Sequence, residues 1–154
     1  MPAGPLSPDR DAFDCSCLPL PLVSARDRDR ACAQRSYEAD RVLHTADEPE
    51  IVVTPSASGK GQKIARCPTC RVAVWSNYPQ SGPAIRFVRV GTMDNPDLCP
   101  PDIHIYTSSK QPWVVLPADA KAVPEFYDPD AVWPAESLER RRLMRTKAKQ
   151  TQSL

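Results

Sequence analysis

The chain has 154 residues, room for one domain whose core buries about two thirds of its unfolded surface, and 20 basic against 19 acidic residues leave a net charge of +1. Near-neutrality excludes a global field for nucleic acid or an anionic membrane surface. No apolar run of about 18 residues is present, and MPAGPLSPDRDAF lacks the basic-then-apolar order of a secretory signal, so no membrane partner is expected and a cytoplasmic location is.

Residues 1–37 have no usable period. Prolines stand at 2, 5, 8, 19 and 21, and ARDRDRACAQR alternates charge without an apolar face, a composition that predicts irregular or disordered chain. From Glu38 the texture changes. RVLHT, EIVVT, QKIAR, VAVWSNY, AIRFVRV, DIHIYT and PWVVL are short runs rich in β-branched and aromatic residues, separated by turn formers such as Ser58-Gly59-Lys60-Gly61 and Ser81-Gly82-Pro83. They predict an all-β domain of seven strands over 38–127. The remaining stretch, 128–154, predicts one helix: Pro134 suits a first helical position, and AESLERRRLMRTKAKQ sets acids in the first turn and bases later. Arg140, Arg141, Arg142, Arg145, Lys147 and Lys149 make this helix basic, a pattern that reads as a solvated tail before it reads as a nucleic-acid contact.

Six cysteines in a chain without a secretory signal point to metal or redox groups rather than to a disulfide framework. ARCPTC, at 65–70, presents Cys67 and Cys70 at a spacing that lets both sulfurs converge on one ion, and such a pair is half of a closed tetrahedral zinc site. The other donors of this kind are Cys15, Cys17, Cys32, Cys99, His44 and His104. A thioredoxin-like reading of the pair needs a βαβ context that the strand pattern lacks, and SGKG lacks the spacing of a phosphate loop and reads as a hairpin turn.

EADRVLH, KIARCPTCRVAVWSN and IRFVRVGTMDNPDLCPPDIHIYTSSKQPWVVLP, in that order over 38–127, resemble the glutathione-dependent formaldehyde-activating enzyme family, also called the centromere protein V type. The resemblance implies an all-β zinc fold, the β-tent or Mss4-like fold, followed here by the C-terminal helix. It implies carbon–sulfur lyase activity, which condenses glutathione with formaldehyde to S-hydroxymethylglutathione, and a glutathione adduct as the small-molecule partner. A structural zinc is implied on four cysteines: Cys67 and Cys70 match the family's Cys-x-x-Cys, and Cys15 and Cys17 have the form of its N-terminal Cys-x-Cys. The family's catalytic zinc is held by Cys-His-Cys-x-x-Cys, and that motif is absent from this chain, so no catalytic residue is assigned and the family activity is expected of the intact gene product only.

Where the motif belongs, the chain reads CLPLPLVSARDRDRACAQRSY. With permitted codons, LPLPLVS read one nucleotide later becomes Cys-His-Cys-His-Trp-Cys, so residues 18–37 are expected to be an out-of-frame translation and the fold N-terminally incomplete. By the same resemblance His104 stands near the active cleft, as a site-lining or a structural histidine, and Trp113 either shapes the same region or packs in the core. Lys110, after Ser108 and Ser109, is either placed to meet a glutathione carboxylate or is a surface lysine. Cys99 is expected to be a packed thiol, Cys32 to have no role, and His44 to be structural or exposed. The rival reading is a non-catalytic zinc-binding module that engages a protein or nucleic acid through the basic helix.

Overall fold

Five of the seven expected runs form strands. The structure, a computed structural model, describes the backbone of residues 15–18, 32–44, 47–56 and 59–151, and the side chains of all of these but 15–18 and 147–151. The strands are β1 (Cys15–Leu18), β2 (Cys32–Glu38), β3 (Glu50–Thr54), β4 (Gln62–Arg66), β5 (Ala73–Asn77), β6 (Ile85–Arg89) and β7 (Ile103–His104). They form one sheet in the order β3-β4-β5-β6-β2-β1-β7. Every pairing is antiparallel except that of β1 with β7, which is parallel.

Two runs expected as strands are not. RVLHT begins in a 3-10 turn, Ala39–Arg41, and leaves it in extended chain that buries Val42 and exposes Leu43. PWVVL starts in a turn at Pro112 and Trp113 and continues without regular structure, with Trp113 at 67% and Val115 at 88% exposure. Their places in the sheet are taken by β1 and β2, which corrects the expectation of irregular chain before Glu38 for Cys15–Leu18 and Cys32–Glu38. The rest of 1–37 lies outside the described residues.

The two faces of β2 explain why it pairs and why it was hard to read. On one side Tyr37 joins Val42, Ala65, Trp75, Val88, Val90, Met93 and Cys99 in the apolar core, with Ala33 packed against it. On the other, Gln34, Ser36 and Glu38 are buried although polar, and each buried polar group needs a partner. Gln34 meets the hydroxyl of Tyr78 at 3.4 Å, Arg89 donates to Ser76 at 3.4 Å, and Glu38 is paired by Arg140 at 3.2 Å. Tyr78 stands edge-on to Phe87 on this face.

A smaller cluster of Ile103, Ile105 and Tyr127 lies beyond β7, with Val123, Val132 and Trp133 packed against it. Trp133 donates its indole N–H to the Tyr127 hydroxyl at 2.8 Å. The single-turn helix α1 (Pro129–Val132) is capped by the Asp128 carboxylate, which accepts from the Asp130 N–H. Helix α2 (Ala135–Thr151) follows. Pro134 precedes the first helical residue and its carbonyl accepts from the Leu138 N–H at 3.1 Å, so it opens the helix from one position earlier than expected. No helix among the described residues is long and apolar enough to cross a membrane.

Candidate metal centre

The turn that joins β4 to β5 carries Cys67 and Cys70. A register shift at Ala65 and Arg66 ends the ladder, and a bulge of this kind bends a strand out of its sheet. The chain then reverses tightly: the Cys67 N–H donates to the Val72 carbonyl at 2.9 Å and the Arg71 N–H to the Cys67 carbonyl at 3.0 Å. Pro68 suits the second place of the turn because its φ is fixed. Arg71 is left-handed, with φ at 63°, a conformation that favours glycine. Two contacts hold it there. Its carbonyl accepts from Arg66 at 2.9 Å, and its guanidinium grips both carboxylate oxygens of Glu50 on β3. Arg71 in turn holds the Glu50 carboxyl below its ordinary value, chiefly through the hydrogen bond.

Inside this turn Cys67 sulfur is an acceptor. The backbone N–H of Cys70, then that of Thr69, then the Cys70 thiol lower the Cys67 thiol below its ordinary value. Hydrogen bonds to a charged form favour that form, so the turn is built to carry a thiolate, the state in which cysteine binds metal. Cys70 is exposed and Cys67 partly so, which leaves both sulfurs reachable. The donor set therefore fits half of a tetrahedral zinc site.

The other two expected ligands lie elsewhere on the sheet. Cys15 and Cys17 are on β1, where Cys15 is opposite Arg35 and Cys17 is opposite Ala33 on one side and His104 on the other. Strand order sets β5, β6 and β2 between β4 and β1, four steps of about 4.8 Å along the sheet. Among the described residues no group of three or more His, Cys, Asp or Glu side chains could hold a metal.

His104 lines no cysteine cluster of described side chains. Its backbone binds residues 121–123 through His104 N–H to Lys121 O at 2.8 Å and Val123 N–H to His104 O at 2.9 Å. Its Nδ1 is buried without a hydrogen-bond partner among the described residues, and burial pushes the imidazole below its ordinary value. Ser108 donates to Glu125 at 2.6 Å and Ser109 to the Tyr106 carbonyl at 3.0 Å, while Lys110 makes no ion pair among the described residues. Trp113 is exposed and so does not fill the core. His44 is held at both nitrogens, Nδ1 by Glu48 at 2.9 Å and Nε2 by the Trp75 indole N–H at 3.2 Å, a structural role.

Two thiol contacts carry no signal in the sequence. Arg35 donates to the buried Cys99 sulfur at 3.3 Å, and Arg89 to Cys32 at 2.6 Å. The partners are distant in sequence and meet only in space, Cys99 from the chain just after the 3-10 turn Pro96–Leu98, and Cys32 had been expected to do nothing.

No curated protein matches the chain. The family model described as glutathione-dependent formaldehyde-activating enzyme matches residues 27–109, just over half of the sequence. The matched range starts before Glu38 and includes all of β2.

Proposed function

The chain belongs to the glutathione-dependent formaldehyde-activating enzyme family, and on that premise we propose that it is a zinc-binding scaffold of the S-hydroxymethylglutathione synthase type without catalytic activity of its own. The observation that carries this reading is the turn at 67–71, where backbone N–H groups converge on the Cys67 sulfur beside an exposed Cys70. Cys67 and Cys70 would hold zinc there as half of a tetrahedral site; β1, which carries the other two expected ligands Cys15 and Cys17, lies four strands away across the sheet. Bound zinc supplies a rigid tetrahedral anchor and, where a coordination position stays open, Lewis-acid polarisation of a ligand. The family's three-thiolate Cys-His-Cys-x-x-Cys, which leaves such a position, is missing from the sequence.

The substrate class that follows from the family is a glutathione adduct of a small aldehyde, and the compartment that keeps an exposed dithiol reduced is the cytoplasm. The rival reading, a zinc-binding module that engages a protein or nucleic acid through α2, is weakened by where its arginines go. Arg140 is paired with Glu38, Arg142 with Glu139, Arg141 lies over the Trp133 ring, and Arg145 donates to the Gln80 carbonyl.

Zinc content of the full chain, purified under reductant and measured by plasma mass spectrometry, tests the proposal. About one zinc per chain is expected, lost in the Cys67→Ser/Cys70→Ser double variant. No zinc, or zinc unaffected by the double variant, overturns it. Two-dimensional exchange NMR of glutathione with formaldehyde should show no acceleration by this chain, and acceleration overturns the inactive reading.

A further inference from the structure

The two edges of the sheet differ. At one, β7 is two residues long, and its outer side is occupied by the 121–123 segment through the His104 backbone bonds and a bridge to Ala122. At the other, β3 pairs with β4 along its whole length and, among the described residues, with no further strand. Among the described residues no backbone bond outside the ladder reaches β3.

Among the described residues nothing guards this edge. Its sequence is Glu50-Ile51-Val52-Val53-Thr54, with Ile51 and Val53 at 46% and 74% exposure. Proteins usually blunt such an edge with a lysine, an internal proline, a bulge or a covering loop. β3 has none of these among the described residues: its pairing with β4 is regular, Pro49 and Pro55 lie just outside it, and its one charge, Glu50, is already held by Arg71 of the same chain.

We propose that β3 is a self-pairing edge, through which two copies of this chain join antiparallel about a two-fold axis at Val52. The strand is complementary to itself in that register. Ile51 of each copy faces Val53 of the other, the two Val52 residues face each other, and Glu50 faces Thr54. Cross-strand β-branched pairs of this kind stabilise a sheet. The single charge never meets its own copy, so no like-charge repulsion opposes the contact. An unrelated strand has no such guarantee of fit.

Geometry also limits the assembly. Because the β7 edge is covered, pairing through β3 consumes the open edge of each molecule, and the assembly is isologous and ends at two copies rather than growing into a fibre. The prolines at 49 and 55 confine the new ladder to the five residues of β3. A contact this short lies below the roughly 800 Å² per partner of a stable interface. The dimer is therefore concentration-dependent, forming in the micromolar range or above.

Analytical ultracentrifugation of the full chain, with reductant to keep exposed Cys70 from cross-linking, tests this from about 5 μM to about 500 μM. The expected result is a weight-average mass that rises with concentration and levels off at twice that of the chain. Val53→Lys, at an exposed position, should weaken self-association by at least about tenfold. Mixing the Ile51→Glu/Val53→Glu variant with the Ile51→Lys/Val53→Lys variant should restore a mixed dimer, because residue 51 faces residue 53 in this register. A monomer throughout the range, a dimer indifferent to Val53→Lys, growth beyond two copies, or failure of the two oppositely charged variants to associate overturns the proposal.

Discussion

Cys67 and Tyr78 are shifted in opposite directions by opposite surroundings. Cys67 sulfur accepts N–H groups from its own turn, which favours the thiolate. A depressed thiol contributes stability that is present above the ordinary thiol range and is lost as pH falls through the folded value. In metal-free protein, the pH midpoint for iodoacetamide alkylation of Cys67, followed by peptide mass spectrometry, is expected below about 8.5. A midpoint at or above that value would show that the turn does not aim its N–H groups at sulfur in solution. Burial pushes the Tyr78 phenol up, against a smaller attraction from Arg89 and the hydrogen bond to Gln34. Here the folded state holds its proton longer than the unfolded one, so stability falls as pH rises past about 10, the ordinary tyrosine value. Burial also pushes the Tyr106 phenol up, so absorbance titration at high pH should show late-ionising tyrosine, and Tyr78→Phe should remove the Tyr78 share of it. Of these two residues only Cys67 was legible in sequence, because its hydrogen-bond donors are its own neighbours; Gln34 and Arg89 reach Tyr78 across the sheet.

At the scale of elements, burial and not composition decides the cost of a change. Ile85 on β6 is 1% exposed, and Ile85→Ala should destabilise by about 2–5 kcal/mol in urea unfolding. Val53→Ala, on the open edge, should stay within about 0.5 kcal/mol. Helix α2 is attached through specific arginines. Arg140→Ala breaks the pair with buried Glu38 and should cost about 2 kcal/mol, whereas Arg142→Ala, at an exposed position, should change little; equal losses would mean that Arg140 does not tie the helix to the sheet. EIVVT and QKIAR were read as strands to the residue because β-branched chains bounded by turn formers state their own structure. β2 escaped for the converse reason. CAQRSYE buries Gln34, Ser36 and Glu38, and its polar face is satisfied largely by Tyr78 and Arg140, distant in sequence, with Arg41 a local partner of Glu38 at 3.8 Å. PWVVL failed in the other direction, since apolar composition alone did not bury Val115.

For the whole molecule, Cys-His-Cys-x-x-Cys is absent from the sequence, and under the proposed function that absence separates scaffold from catalyst. Restoring it by Leu18→Cys, Pro19→His, Leu20→Cys, Pro21→His, Leu22→Trp and Val23→Cys should add about one zinc per chain and confer glutathione-dependent turnover of formaldehyde. Unchanged zinc content in the folded repaired chain would sink the out-of-frame account of this segment. Family membership, five strands and the C-terminal helix were determined by the sequence, the strands and the helix because each rests on residues within a turn or two of one another. The tertiary structure alone decided which strands lie side by side. It placed β1 and β2 between β6 and β7, set Cys17 beside His104 rather than beside Cys67, turned Arg140 of α2 onto the sheet, and left β3 open among the described residues. Each of those outcomes depends on partners brought together from far apart in the chain, and no local pattern of residues encodes which partner a strand edge or a buried polar group will meet.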